Sequence, residues 1–172
     1  MMEIADRLSE RLQGGRKVAF LGVGAPLRAD DSVGLYIVSG LEKRLKADPD
    51  TEYIFFLGES APENYSGAIR SQMPSHVVIL DAAEMGREPG AFRMIEPDQI
   101  GGVSFSTHML PLKILADYLV KTTACQIVVI GVQPKYLEFG YPISTEVKRA
   151  ADQFIKEFSE LCGKKRVKPK AT

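Results

Sequence analysis

Three residues of this 172-residue chain could do chemistry together: Asp31, Asp81 and His108. Asp31 lies in the stretch FLGVGAPLRADDSVG, residues 20–34, beside Asp30 and downstream of Gly22 and Gly24. Asp81 ends the apolar run VVILD, and His108 sits in FSTHMLPL. Two carboxylates and one imidazole form a reasonable three-ligand set for a divalent cation, and zinc or nickel suits that donor set better than magnesium. Each residue also has a plain structural reading. Asp31 could cap a helix, Asp81 could be a turn residue, and His108 could open a helix. What raises the joint site is that all three are expected at one end of the same sheet.

The elements that must position them alternate in type. KVAFLGVG reads as a buried strand, short, continuous and ended by glycine. Val33, Tyr36, Ile37, Leu41 and Leu45 then recur at helical spacing, with Asp30 or Asp31 as the expected N-cap and Asp48-Pro49 as the stop. EYIFFLG is a second strand. PENYSGAIRSQM reads as a weaker helix ended by Pro74, and HVVILDAA as a third strand. AFRMIE suits an edge strand. A helix is expected from Thr107 to about Lys121, with Pro111 tolerated near its start. QIVVIGVQP is the last core strand. A final helix should begin at a Ser144 cap, bury Val147, Ala151, Phe154, Phe158 and Leu161, and end at Gly163.

Strands alternating with helices imply parallel strands joined by crossover helices. The expected fold is therefore a single three-layer α/β domain over residues 1–163, with a mostly parallel twisted sheet flanked by helices, phosphorylase/hydrolase-like in class. Ligands of such sheets sit beyond the carboxyl ends of the strands. Asp31, Asp81 and His108 all fall there. So do Gly24 and the loop GESAPENYSG, where Glu59 or Glu63 could help to bind a substrate.

Competing chemistries fit less well. The dinucleotide fingerprint needs G-x-G-x-x-G, but Gly22-Val23-Gly24 is followed by Ala25-Pro26-Leu27. Asp30 and Asp31 would also repel a pyrophosphate at the helix N-terminus. Gly22 and Gly24 are better read as letting the chain turn tightly off the first strand. There is no G-x-x-x-x-G-K-[ST], no G-x-S-x-G and no H-E-x-x-H. Cys125 and Cys162 lie far apart without metal-type spacing, which fits a reducing cytoplasm and neither a disulfide framework nor a thiolate nucleophile. His76 precedes the run VVIL and is expected to start a strand with no site role.

Composition bounds the remainder. Hydrophobic residues are 45% of the chain, enough for one sizeable core. No apolar run approaches the roughly 20 residues that span a bilayer, so membrane insertion is not expected. The charged N-terminus lacks an export signal, which gives a cytoplasmic expectation. Five of the 22 basic residues lie in the tail KKRVKPKAT, 164–172, read as a solvated disordered end. The remainder therefore holds 17 basic against 22 acidic residues, a net of −5, which does not favour nucleic acid as a partner.

The segments GVGAPLRADDSVG, VVILDAAEMGREPG, STHMLPL and VVIGVQP followed by FGYPISTEVKRAAD resemble, in order, the maturation endopeptidases of nickel-iron hydrogenases. SAPEN and STHMLPL most resemble the branch that matures hydrogenase-3-type (formate hydrogenlyase) large subunits. The resemblance covers about residues 17–160. Ala25 and Leu57-Gly58-Glu59 depart from it, standing where the family usually has asparagine and an Asp-Gly ending.

The resemblance implies a twisted sheet flanked by helices and removal of a C-terminal peptide from the hydrogenase large-subunit precursor, an aspartic-type endopeptidase activity. It implies that the cut follows nickel insertion, and that Asp31, Asp81 and His108 grip nickel supplied by the precursor, so that the free enzyme needs no tightly bound cofactor. Whether these residues recognise the metal or also take part in hydrolysis stays open. A monomer is the favoured state. A different class of function, a non-catalytic nickel-binding, chaperone-like module for hydrogenase assembly, would use the same residues; a small-molecule hydrolase of similar fold is a further alternative.

Overall fold

A computed structural model of the chain describes residues 2–100, 104–105 and 109–164. Its centre is a sheet in the order β2-β1-β3-β6-β4, formed by β1 (Lys17–Val23), β2 (Glu52–Glu59), β3 (His76–Glu84), β4 (Phe92–Ile95) and β6 (Gln126–Val132). β2, β1, β3 and β6 run parallel, and β4 closes one edge antiparallel to β6. The two-residue β5 (Ser104–Phe105) pairs antiparallel with the last residues of β3, Ala83 and Glu84. The expected mixed, mostly parallel α/β architecture is thus the one observed.

Alternation along the buried strands feeds two cores. On one face Val18, Phe20, Val78, Leu80, Val128 and Ile130 meet α1 (Met2–Arg11), α2 (Val33–Arg44) and α5 (Thr145–Lys164). On the other, Ala19, Leu21, Val77, Ile79, Ile127 and Val129 meet α3 (Ser66–Ser71) and α4 (Met109–Thr123). Aromatic rings dominate the first core: Phe20 stacks on Phe55 at 5.6 Å and meets Phe158 edge-on at 5.9 Å, while Phe92 stacks on Phe154 at 5.0 Å. Removing such a buried ring typically costs about 3–5 kcal/mol.

Several element boundaries differ from the sequence expectation. α1 was not expected: its ten residues are mostly polar, but Ile4, Ala5 and Leu8 form a narrow stripe that α5 covers. α2 stops at Arg44, before Asp48-Pro49, because Leu45 already turns to an extended conformation. The weak helix over 62–73 divides into a 3-10 turn, Pro62–Tyr65, and α3. α4 runs on to Thr123; the residues before Met109, Thr107 included, lie outside the described residues. Gly163 does not end α5, which continues through Lys164, and the tail 165–172 is likewise outside the described residues.

Candidate functional site at the carboxyl edge of the sheet

The connections of β1 and β3 leave in opposite senses, since β2 and β3 flank β1 on its two sides. That switch point lies at the carboxyl ends of β1 and β3, the place of the candidate crevice, since α/β sheets take their ligands there. Gly22 is in register with Leu80, so Asp81 stands beside the end of β1. Asp81 is fully buried and shares its face of β3 with Ile79 and Ala83, the face covered by α4. The chain after β1 makes a 3-10 turn, Ala29–Ser32, that packs against β3 and carries Asp31, also fully buried. The sequence thus brings two carboxylates to one end of the sheet from segments 50 residues apart.

Glycines make this approach possible. Gly24 adopts φ +137°, and a Cβ there would stand 1.8 Å from the carbonyl oxygen of Asp31. Gly34, at the start of α2, lies so close to the sheet that a Cβ would fall 2.1 Å from the Leu80 oxygen and 2.5 Å from that of Val23. Gly22 belongs to β1 itself and does not form the turn, which begins at Gly24. The glycine pattern therefore packs an acidic turn directly onto two strand ends.

The two adjacent aspartates do different things, and neither caps α2. Ser32 occupies the cap position without a side-chain capping bond, and its hydroxyl donates back to the Ala29 carbonyl at 2.7 Å. One Asp31 carboxylate oxygen accepts the Ala25 N–H at 3.0 Å, which closes the loop on itself. Asp30 turns the other way. Its Oδ2 accepts from the backbone of Lys135 and Tyr136 and from the Ser144 hydroxyl, at 2.8, 3.2 and 2.9 Å, and its Oδ1 accepts the Ser144 N–H at 2.6 Å. Ser144 precedes α5 as expected, but its hydroxyl serves Asp30.

Glu59 and Glu63 lie further along the same edge. A bulge skips Gly58, pairs Val23 with Glu59, and brings the Glu59 carbonyl to the Gly24 N–H at 3.0 Å. Glu59 holds φ +49°, an uncommon conformation for a residue with a side chain. Its side chain is exposed in a recess of about 260 Å³ that Ser60, Ala61, Asn64 and Tyr65 also line. Glu63 is exposed on the following 3-10 turn and is not part of that lining.

His108 lies outside the described residues. Among the described residues no group of three metal-ligating side chains comes together. His76 begins β3, is buried, and bonds through Nδ1 with the Ser75 hydroxyl at 3.0 Å. Burial holds its pKa below the ordinary value, and a hydrogen bond with the Arg11 backbone partly offsets that. Cys125 is buried too, which raises its thiol pKa and suits packing better than nucleophilic attack. No described helix is long and apolar enough to cross a membrane.

Sequence reasoning missed two residues that shape this edge. Asp30 is one. Gln133, 3% exposed, is the other. Its Oε1 accepts the N–H groups of Met85 and Arg87 at 2.7 and 3.2 Å, and its Nε2 donates to Glu84 Oε1 at 2.7 Å and to the Pro134 carbonyl at 3.1 Å. Gln133 therefore ties the segment after β3 to the end of β6. A polar residue directly after the apolar run IVVIGV was the available signal.

The sequence profile of the hydrogenase maturation protease family matches residues 35–160. The hydrogenase 3 maturation protease of Escherichia coli K12 is 35% identical over 133 residues, 77% of this chain and 82% of its own length. The crystal structure of a nickel-iron hydrogenase maturation protease from Thermococcus kodakarensis superposes with a TM-score of 0.81 at 30% identity, covering 91% of this chain and 99% of that one. The solution structure of an endopeptidase from E. coli gives a TM-score of 0.69 at 29% identity, over 84% of this chain and 90% of that one. With two buried aspartates at the switch point of this fold, the chain belongs to the hydrogenase maturation protease family.

Proposed function

We propose that the protein is the endopeptidase that removes a C-terminal peptide from the nickel-loaded large-subunit precursor of a nickel-iron hydrogenase, and that it recognises the nickel the precursor carries. The observation behind this reading is the pair Asp31 and Asp81, two fully buried carboxylates at the carboxyl ends of neighbouring strands in a chain of this family. Carboxylates held out of water interact strongly with a cation. His108 is proposed as the third ligand. In its support, Phe105, three residues before it, pairs with Ala83, two residues beyond Asp81.

Three protein ligands leave coordination positions for groups on the precursor, which is the arrangement a substrate-borne ion needs. Holding that ion fixes the scissile peptide over the crevice, a proximity effect. Hydrolysis then adds water to the scissile carbonyl, breaks the C–N bond and passes a proton to the departing amine. A carboxylate at the crevice can orient that water and accept its proton. Glu59, on the neighbouring rim, and Glu63 are proposed to contact the peptide, whereas the space beside Gly24 is taken by the Asp31 main chain. A cytoplasmic location and a monomer complete the reading.

The test uses purified protein with nickel-loaded and nickel-free precursor, and mass spectrometry of the products. Cleavage of the loaded form alone, lost in Asp31→Ala and in His108→Ala, is the expected result. Equal cleavage of both forms overturns metal recognition. Nickel binding without cleavage would favour the non-catalytic module.

A further inference from the structure

Seven large apolar side chains are well exposed among the described residues. Three of them, Leu27, Phe139 and Tyr141, stand on two segments that are hydrogen-bonded to each other, with exposures of 64, 72 and 63%. The Gly140 N–H donates to the Leu27 carbonyl at 2.8 Å, and the Ala29 N–H to the Tyr141 carbonyl at 3.1 Å. The Tyr141 ring meets Tyr136 edge-on at 6.1 Å, and the Tyr136 hydroxyl donates to the Pro142 carbonyl. A single exposed apolar residue needs no explanation, but three on adjoining, braced backbone do.

The bracing comes from Asp30. Burying a carboxylate is costly unless hydrogen bonds replace its water, and here four bonds do so. All four go to the two ends of the loop that presents Phe139 and Tyr141. What this buried group holds in place is therefore an exposed aromatic surface. Aromatic side chains on a fixed backbone lose little entropy on binding and are frequent anchors of protein interfaces. Lys135 and Glu146, at the root of the loop, pair with each other at 2.7 Å, and the two charged residues next to the patch in sequence, Arg28 and Glu138, are of opposite sign, so these four residues sum to no net charge. The complementary surface is a mainly apolar protein face without a strong excess of either charge.

Position identifies the partner. Asp30, which anchors the patch, and Asp31, in the candidate crevice, are neighbours on one 3-10 turn. Their side chains face different ways, but Leu27 of the patch lies within the loop that the Ala25–Asp31 hydrogen bond closes, so patch and candidate crevice share one short stretch of chain. We infer that Leu27, Phe139 and Tyr141 form the docking surface for an apolar face of the folded precursor, and that Phe139 and Tyr141 set its affinity without touching the reacting bond. This rests on the precursor being the substrate, as proposed above.

The experiment is a titration of nickel-loaded cognate precursor with wild type, with Phe139→Ser/Tyr141→Ser and with Val120→Ser, an exposed apolar position on α4. Cleavage is followed in the same samples, and thermal midpoints and sedimentation on each protein alone. The expected result is a Kd raised about tenfold or more in the double variant, a matching rise in KM with kcat retained, an unchanged thermal midpoint, and wild-type behaviour of Val120→Ser. An unchanged Kd in the double variant overturns the inference, as does wild type that binds no precursor. A sedimentation change in the double variant with precursor affinity intact makes the patch a self-association face and also overturns it. Patch-dependent binding without cleavage by wild type would instead sink the peptidase reading and leave the docking surface standing.

Discussion

Gly24 and Asp31 are packed backbone against backbone: a Cβ on Gly24 would stand 1.8 Å from the Asp31 carbonyl oxygen. That oxygen belongs to main chain and cannot swing aside. Gly24 also holds φ +137°, a conformation that L side chains rarely adopt. Gly24→Ala is therefore expected to lower stability by about 2–4 kcal/mol in urea unfolding. The chain must move apart where Asp31 is held, so precursor cleavage should fall at least about tenfold even at temperatures where the variant stays folded, since small misplacements at a site are costly. A variant with wild-type stability would show that the contact is not tight in solution.

Asp30 offers a sharper separation of roles. In Asp30→Ala the N–H groups of Lys135, Tyr136 and Ser144 lose their acceptor together. Leaving several donors unmet should cost about 3–4 kcal/mol. Asp30→Asn retains one acceptor oxygen and turns the other into a donor facing a donor, so about 2 kcal/mol is expected. Hydrogen exchange should localise the effect to residues 135–144 in both variants. Faster exchange spread evenly over the sheet would contradict an anchoring role.

The fold was legible because its strands are continuous apolar runs, and β1, β3 and β6 emerge close to their expected limits. Asp31 and Asp81 could be placed at one sheet edge because each directly follows or ends such a run. α1 was not legible, since Ile4, Ala5 and Leu8 give too thin a stripe among charged neighbours. The division of labour between Asp30 and Asp31 was hidden for a different reason. It depends on a loop more than 100 residues away, and spacing near Asp30 carries no trace of that contact. The same holds for Gln133, whose partners lie 46 to 49 residues back along the chain, apart from Pro134.

Gln133 gives a third prediction. Leucine has nearly the same bulk but can neither accept from Met85 and Arg87 nor donate to Glu84. Gln133→Leu should therefore cost about 2–3 kcal/mol, and the amide protons of Met85 and Arg87 should exchange markedly faster than in wild type. Because this segment leaves the strand that carries Asp81, a drop in precursor cleavage with little change in nickel-independent binding is also expected. Unaltered exchange at both amides would show that Gln133 does not hold the segment.

His76 should leave a signature in the pH dependence of stability. Burial holds its folded pKa below the ordinary 6.5, and the Arg11 backbone offsets only part of that. In the unfolded chain the imidazole takes up its proton as the pH falls through about 6.5, whereas the folded protein does not until its lower pKa is reached. Between these two values the unfolded state binds more protons, so stability must fall with falling pH, by at most about 1.4 kcal/mol per pH unit. Above 6.5 His76 is neutral in both states and contributes no slope. His76→Gln removes the titration and keeps a polar group beside Ser75. The difference between the wild-type and variant urea midpoints should thus be constant above pH 7 and shift in the variant's favour below 6.5. His108, the other histidine of the chain, is common to both proteins and cancels in the difference. Curves that stay parallel down to pH 5 would mean that His76 takes up its proton as readily folded as unfolded.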